Sequence, residues 1–151
     1  MKKIRMTGLA VAAIVIFIIA GYGCSSAKMT TTVTEQVSLQ GTWKLVMYKY
    51  GPSASSFREV PEASQRLKMI TDSYFIWVSV DSVKRAIVSS AGGRYRLEGN
   101  NYTEMLDFGI GMSSYTGTQP TYTVKTEDDL LFLSGLLSPG YRIEEIWKRV
   151  K

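Results

Sequence analysis

The chain has no histidine and a single cysteine among its 151 residues. Without imidazole, Ser-His-Asp and Cys-His catalysis are excluded, together with every metal site that depends on a histidine ligand. A lone cysteine, Cys24, makes no intramolecular disulfide. Asp, Glu, Tyr, Lys and Arg remain for chemistry, so an enzyme is the minority expectation, and neither a cofactor nor a metal is expected. Clustered positive charge is lacking too. The formal charge is +5, yet no run of Lys and Arg is present that would track phosphates, and nucleic acid is not an expected partner.

The one long apolar run lies at the N-terminus. Lys2, Lys3 and Arg5 form a positive start, and Met6 to Ala20 carries no charge and is mostly Ala, Val, Ile and Phe. That is the shape of a signal peptide over residues 1–23. The alternative, an uncleaved membrane anchor, needs about 20 apolar residues, which the run reaches only with its flanking glycines and Tyr22. The segment AGYGCSS is similar to a bacterial lipobox, in which small residues precede a cysteine that is acylated and becomes the mature N-terminus. Gly21 and Gly23 are small as such a site requires, although Gly21 stands where leucine is usual. Cys24 is therefore the candidate lipidation site. The expected location is the bacterial cell envelope, at the outer membrane, with the membrane as partner through the lipid.

Loss of Lys2, Lys3 and Arg5 would leave 15 cations against 13 anions, so the net charge would fall from +5 to +2. The Ser- and Thr-rich stretch SSAKMTTTVTEQVS then completes a lipidated tether over 24–38, able to reach roughly 45 Å when extended.

From Leu39 onward, β-branched and aromatic residues recur between short turns. The pattern predicts an all-β domain over 39–151 with eight strands, at 41–50, 66–71, 73–81, 84–97, 101–108, 119–126, 129–136 and 141–150. Turn chemistry at EGNN, EDD and SPG suits an antiparallel up-and-down meander. Eight such strands remove their edges by closing into a barrel, whose interior holds side chains or one small ligand. Two segments interrupt the meander. Residues 51–65 form a long connection with a helical turn expected after Pro61, and glycine-rich 109–119 is mobile by composition; both are placed at a barrel mouth.

Two hairpins can be registered. A turn at Gly99 and Asn100 pairs Leu97 with Tyr102, Tyr95 with Glu104 and Gly93 with Leu106, so Tyr95, Leu97, Tyr102, Glu104 and Leu106 share the inner face. A turn at Asp128 and Asp129 pairs Val124 with Leu133, giving an inner face of Tyr122, Val124, Leu131 and Leu133. Gly92 and Gly93 let the long fourth strand bend. Around Thr71 to Ser73 the turn holds two or three residues, and that choice flips Phe75 and Trp77 between faces; both are read as inward.

GTWKL at the first strand and IWKRV at the last resemble the two ends of the lipocalin superfamily pattern. There a G-x-W tryptophan packs across the closed end of the barrel against an arginine near the end of the last strand. The matching positions are Gly41, Trp43 and Arg149. With AGYGCSS, FIWVSVD, SSAGGRYRLEGNNYTE and EEIWKRVK, residues 39–151 look like the lipocalin-like lipoproteins of unknown function found in bacterial envelopes. The resemblance implies a lipocalin-like barrel sealed at one end by a cation-π contact worth about 0.5–2 kcal/mol.

Glu104 on an apolar face is the sharpest feature, because a buried carboxylate costs several kcal/mol unless it is paired. Tyr95 opposite is its expected donor, and Glu145 shares parity with Trp147 and Arg149. Tyr95, Tyr102, Glu104, Tyr122 and Glu145, with Phe75 and Trp77, are thus candidate ligand-binding residues for a small, mostly apolar molecule. The plainer alternative is that these groups satisfy one another and an interior arginine in a filled barrel. The chain would then be a non-catalytic interaction or inhibitor scaffold, for which Val46, Tyr48 and Tyr50, of outward parity, are the motive. A glycosidase pair made of Glu104 and Glu145 is the remote third possibility.

Overall fold

The structure, a computed structural model, describes residues 38–53 and 55–151. Cys24, the signal segment 1–23 and all of the tether but Ser38 lie outside the described residues. The strands are β1 (Gly41–Tyr50), β2 (Arg58–Glu59), β3 (Ser64–Ile70), β4 (Tyr74–Asp81), β5 (Ala86–Glu98), β6 (Asn101–Ile110), β7 (Thr121–Glu127), β8 (Leu130–Ser138) and β9 (Tyr141–Arg149). Each long strand runs antiparallel to its neighbours, and β1 also pairs with β9. The eight long strands therefore close an up-and-down barrel. The two-residue β2 was not expected from the sequence; it pairs with Met47 and Tyr48, on the part of β1 that β3 leaves uncovered.

Register follows side-chain pattern where alternation is clean. Leu97 faces Tyr102, Tyr95 faces Glu104 and Gly93 faces Leu106 across the Gly99–Asn100 turn, and Val124 faces Leu133 across the Asp128–Asp129 turn. Tyr102, Glu104, Leu106, Tyr122, Val124, Leu131 and Leu133 are all buried as a result. Gly93 sits at a register shift between β5 and β6. Any Cβ there would lie 1.9 Å from the Met105 carbonyl oxygen, so only glycine lets the strands approach at this corner. Between β3 and β4, Thr71 N–H donates to the Tyr74 carbonyl at 2.9 Å. The turn thus holds two residues, Ile70 pairs with Phe75, and both Phe75 and Trp77 point inward.

Three expectations are corrected. The register of β1 against β9 shifts between Leu45 and Met47, so Val46 is an extra residue and every later side chain changes face. Tyr48 pairs with Glu145 and Tyr50 with Ile143, and both tyrosines pack against the core instead of pointing outward. After Pro61 a single turn closed by Ser64 N–H on the Pro61 carbonyl takes the place of a helical turn. The 109–119 segment is not a free loop. β6 runs on to Ile110, a 3-10 turn spans Ser113–Tyr115, and Gly117 N–H donates to the Leu106 carbonyl at 2.7 Å.

One end of the barrel is sealed. Trp43 is completely buried, and the Arg149 guanidinium lies 4.1 Å from its ring centroid. The indole N–H donates to the Leu39 carbonyl at 2.8 Å and the guanidinium to the Gln40 carbonyl at 2.6 Å. Gly41 has φ +131°, and a Cβ on it would lie 2.5 Å from Arg149 Nη1. The glycine thus makes room for the guanidinium that covers the tryptophan.

Candidate functional site

The opposite end is open. Tyr50 closes β1, Ser89 begins the inward run of β5, and Leu137 and Tyr141 flank the β8–β9 turn. Between them lies a cavity of about 350 Å³ that opens to solvent. Leu106, Leu133, Ile143 and Trp147 line it from the barrel wall, and Met112 and Tyr115 fold into it from the segment after β6. That segment supplies wall to the site because β6 and β7 pair over only three residues, Asn101 to Thr103. Beyond them the intervening chain fills the gap, with Leu106 N–H donating to the Thr118 carbonyl at 3.2 Å.

Two ion pairs form the charged part of the lining. Lys68 Nζ donates to Glu104 Oε1 at 2.7 Å, with the two side chains 3% and 4% exposed. The ammonium also lies 5.1 Å from the Trp147 ring centroid, 5.6 Å from Tyr102 and 5.8 Å from Phe75. Three aromatic faces and a carboxylate thus replace the water that a buried ammonium would otherwise lose.

The second pair is Arg66 with Glu145, at 3.6 Å. Tyr50 joins it by donating its hydroxyl to Glu145 Oε1 and accepting from Arg66 Nη1 at 2.8 Å. Trp147 Nε1 donates to the other oxygen of Glu145 at 3.0 Å, and Arg66 Nε donates to Ser79 Oγ at 2.7 Å. Arg66 also lies 4.9 Å from the Trp77 ring centroid. Every heavy donor of this cluster except one guanidinium nitrogen has a named partner, which holds the side chains in one geometry.

The tyrosines around these charges resist ionisation. Burial, and then the negative charge of Glu145, push the Tyr50 phenol well up. Burial followed by Glu104 and Glu145 does the same to Tyr122, and burial followed by Glu104 does so to Tyr102. Although Glu104 is near enough to act on it, the Tyr102 hydroxyl is buried and has no hydrogen-bond partner among the described residues.

Of the residues singled out in the sequence, the structure brings Trp77, Glu104, Tyr122 and Glu145 to the cavity. Phe75, Tyr95 and Tyr102 are not in its lining. Phe75 and Tyr102 pack edge to face at 6.4 Å between centroids, behind Lys68. Tyr95 is not the partner of Glu104: its hydroxyl donates to the Thr71 carbonyl at 2.8 Å, at the sealed end of the barrel. The reason is geometric. Although Tyr95 is paired with Glu104 across the strands, its ring leans onto that of its diagonal neighbour Tyr102, 5.2 Å between centroids, and the hydroxyl reaches the neighbouring turn.

The sequence reading missed Tyr50, Arg66, Lys68, Met112 and Tyr115. For Arg66 and Lys68 a signal existed. Two inward carboxylates require two inward cations, and Arg66, Lys68 and Ile70 share one face of a strand. The hydrophobicity of Leu67 and Met69 argues for the other parity, yet Met69 is 39% exposed while Lys68 is 2% exposed.

Among the described residues no group of three or more Cys, Asp and Glu is placed to hold a metal ion. No helix among them is long and apolar enough to cross a membrane. Compared with known families, residues 38–151 match the model of one described as a domain of unknown function, DUF4488. No curated protein matches the chain.

Proposed function

We propose, for a chain that belongs to the DUF4488 family, that the barrel binds a small, mostly apolar molecule in its open end and that the protein is held at the cell envelope by a lipid on Cys24. The observation that carries the reading is the cavity: about 350 Å³, open on one side, walled by aliphatic and aromatic side chains, with charged groups confined to two ion pairs. Ligand sites of proteins start at about 300 Å³ and have this mixture of apolar wall and few fixed polar groups. The G-x-W and C-terminal arginine at the sealed end support a lipocalin-like barrel, and in such a barrel the open end is where ligands enter. The reading is non-catalytic. Glu104 and Glu145 are each tied to a cation, which is unlike a pair of carboxylates of which one must take up and one must release a proton.

Native mass spectrometry of the protein purified from its own host tests the binding reading. The expected result is a co-purifying small molecule in the intact protein that is lost in Leu133→Trp, which fills the cavity. Repeated recovery of an empty barrel, with no added probe retained, would overturn it. For the anchor, metabolic labelling with radioactive palmitate should mark the protein and not Cys24→Ala. Label in both, or in neither, would refute lipidation at that residue. Separation of inner and outer membranes then tests the expected outer-membrane location.

A second reading, the interaction scaffold, is favoured by the outside of the barrel. Register places Met69, Ile76 and Phe108 in one row across β3, β4 and β6, and Leu67, Val78 and Ile110 in the next. Phe108 and Ile110 are 53% and 57% exposed. The six side chains carry no charge, and Lys44 continues the second row on β1 at its rim, so two copies that face each other over the apolar part alone oppose no like charges, and the partner this surface fits is a second copy of the chain. Sedimentation over a range of concentrations should show a dimer that Phe108→Glu abolishes. A monomer throughout would remove this reading.

A further inference from the structure

The inference that follows rests on the cavity being a ligand site and names what its ligand must be. The polar groups of the lining sum to no net charge: Lys68 against Glu104, Arg66 against Glu145. A ligand bearing a formal charge meets no uncompensated opposite charge and surrenders its hydration on entry. The same groups present both kinds of hydrogen-bonding atom side by side. Carboxylate oxygens of Glu104 and Glu145 accept, while the Lys68 ammonium, the Arg66 guanidinium and the Tyr122 phenol carry donor hydrogens. A carboxylate head only accepts and an ammonium head only donates. A hydroxyl does both, and it brings no charge.

From this we infer that the site selects an uncharged amphipath with a hydroxyl at one end and an apolar, ring-bearing body, and that it discriminates against the fatty-acid-like anion of equal length. The body is matched by Trp77, Tyr115 and Trp147 on the cavity wall. At about 30 Å³ for each water-sized volume, the 350 Å³ space admits a ligand of about a dozen non-hydrogen atoms. The Lys68–Glu104 pair is then a selectivity device: with either partner removed, the other becomes an unpaired charge that a ligand of opposite sign can neutralise.

Three probes of one shape, phenylbutanol, phenylbutyrate and phenylbutylammonium, test this. Binding is measured at neutral pH by quenching of the cavity tryptophans in the full-length protein held in nanodiscs, with empty nanodiscs as the partitioning control. The alcohol is expected to bind about ten-fold or more tightly than either ion, since differential desolvation and hydrogen bonding decide between them. Equal or tighter binding of the carboxylate or the ammonium overturns the inference while leaving the ligand site intact. No binding of any probe overturns the ligand site itself and this inference with it. In Glu104→Gln the preference should move to phenylbutyrate, and in Lys68→Met to phenylbutylammonium. Unchanged preference in folded variants would also count against the device. Should a variant fail to fold, the wild-type comparison of the three heads decides alone.

Discussion

Replacing Lys68 by methionine keeps most of the apolar stem of the side chain and deletes the ammonium with its charge and hydrogen bonds. Glu104, whose side chain is 4% exposed, is then left in the barrel without a counter-ion. Breaking a buried pair from one side costs about 3–5 kcal/mol, chiefly because the remaining charge has lost its water. Loss of the contacts with three aromatic rings adds to this, since a desolvated cation-π contact is worth up to about 2 kcal/mol. For a domain whose total stability is about 5–15 kcal/mol, that is a large share, and at roughly 4 °C for each kcal/mol it lowers Tm by roughly 12–20 °C. Replacing Glu104 by leucine in the same chain removes the stranded charge, and the double variant should recover to within about 1 kcal/mol of the native protein, because an apolar substitute for a whole buried pair is often neutral. Urea unfolding followed by tryptophan fluorescence on all four proteins of the cycle gives the coupling energy directly. A loss below about 1 kcal/mol for Lys68→Met, or a double variant as unstable as the single one, would refute the view that this pair is held out of water.

Gly41→Ala should destabilise by about 1–3 kcal/mol, because it forces a side chain into a positive φ and into the Arg149 guanidinium; differential scanning fluorimetry reads the shift, and no change would mean the end is not sealed as described. Deleting Val46 leaves Leu45 and Met47 consecutive against Trp147 and Ile146, so Tyr48 and Tyr50 stay on the inner face; the expected result is that probe binding and the far-UV β signal are both kept, and loss of binding in a folded variant would contradict this register. Tyr50→Phe takes away a hydroxyl that bridges Arg66 and Glu145 and should cost about 1–3 kcal/mol by leaving charged partners unsatisfied, measured by urea unfolding. In alkali, Tyr50, Tyr102 and Tyr122 have folded-state pKa values raised above the ordinary phenol. The stability they contribute is therefore present in full below about pH 10 and falls above it, by about 1.4 kcal/mol per pH unit for each of them. Tyrosinate absorbance should show them ionising only as the barrel unfolds, and early titration of all the tyrosines would contradict their burial.

The barrel and most of its register were legible because inside and outside alternate cleanly along β5 to β8, and the Gly99–Asn100 turn fixes which residue faces which. Trp43 and Arg149 were legible for a different reason: the glycine two before the tryptophan is there to admit the arginine. What escaped the sequence were inversions. In β1 a single inserted residue moves two tyrosines from one face to the other, and nothing in LVMYKY announces it. In β3 the more apolar residues, Leu67 and Met69, lie outside because the interior carboxylates demand Arg66 and Lys68 within. Hydrophobicity alone assigns that strand backwards, whereas charge balance assigns it correctly. The outward apolar rows on β4 explain why FIWVSV reads as nearly continuous hydrophobic sequence: both of its faces carry apolar side chains, a pattern usual in strands covered on two sides.

The seal at the closed end joins the two ends of the domain, since Arg149 reaches the Gln40 carbonyl across 109 residues of sequence. Contacts of such separation are late to form, because the chain between them must be ordered first. No fragment lacking β9 can cover Trp43 or complete the pairing of β1, so a nascent chain stays unclosed until its last strand has been delivered. Under the export proposed above, that delay is useful, because Arg149, the residue that locks the structure, ends the last strand of the barrel.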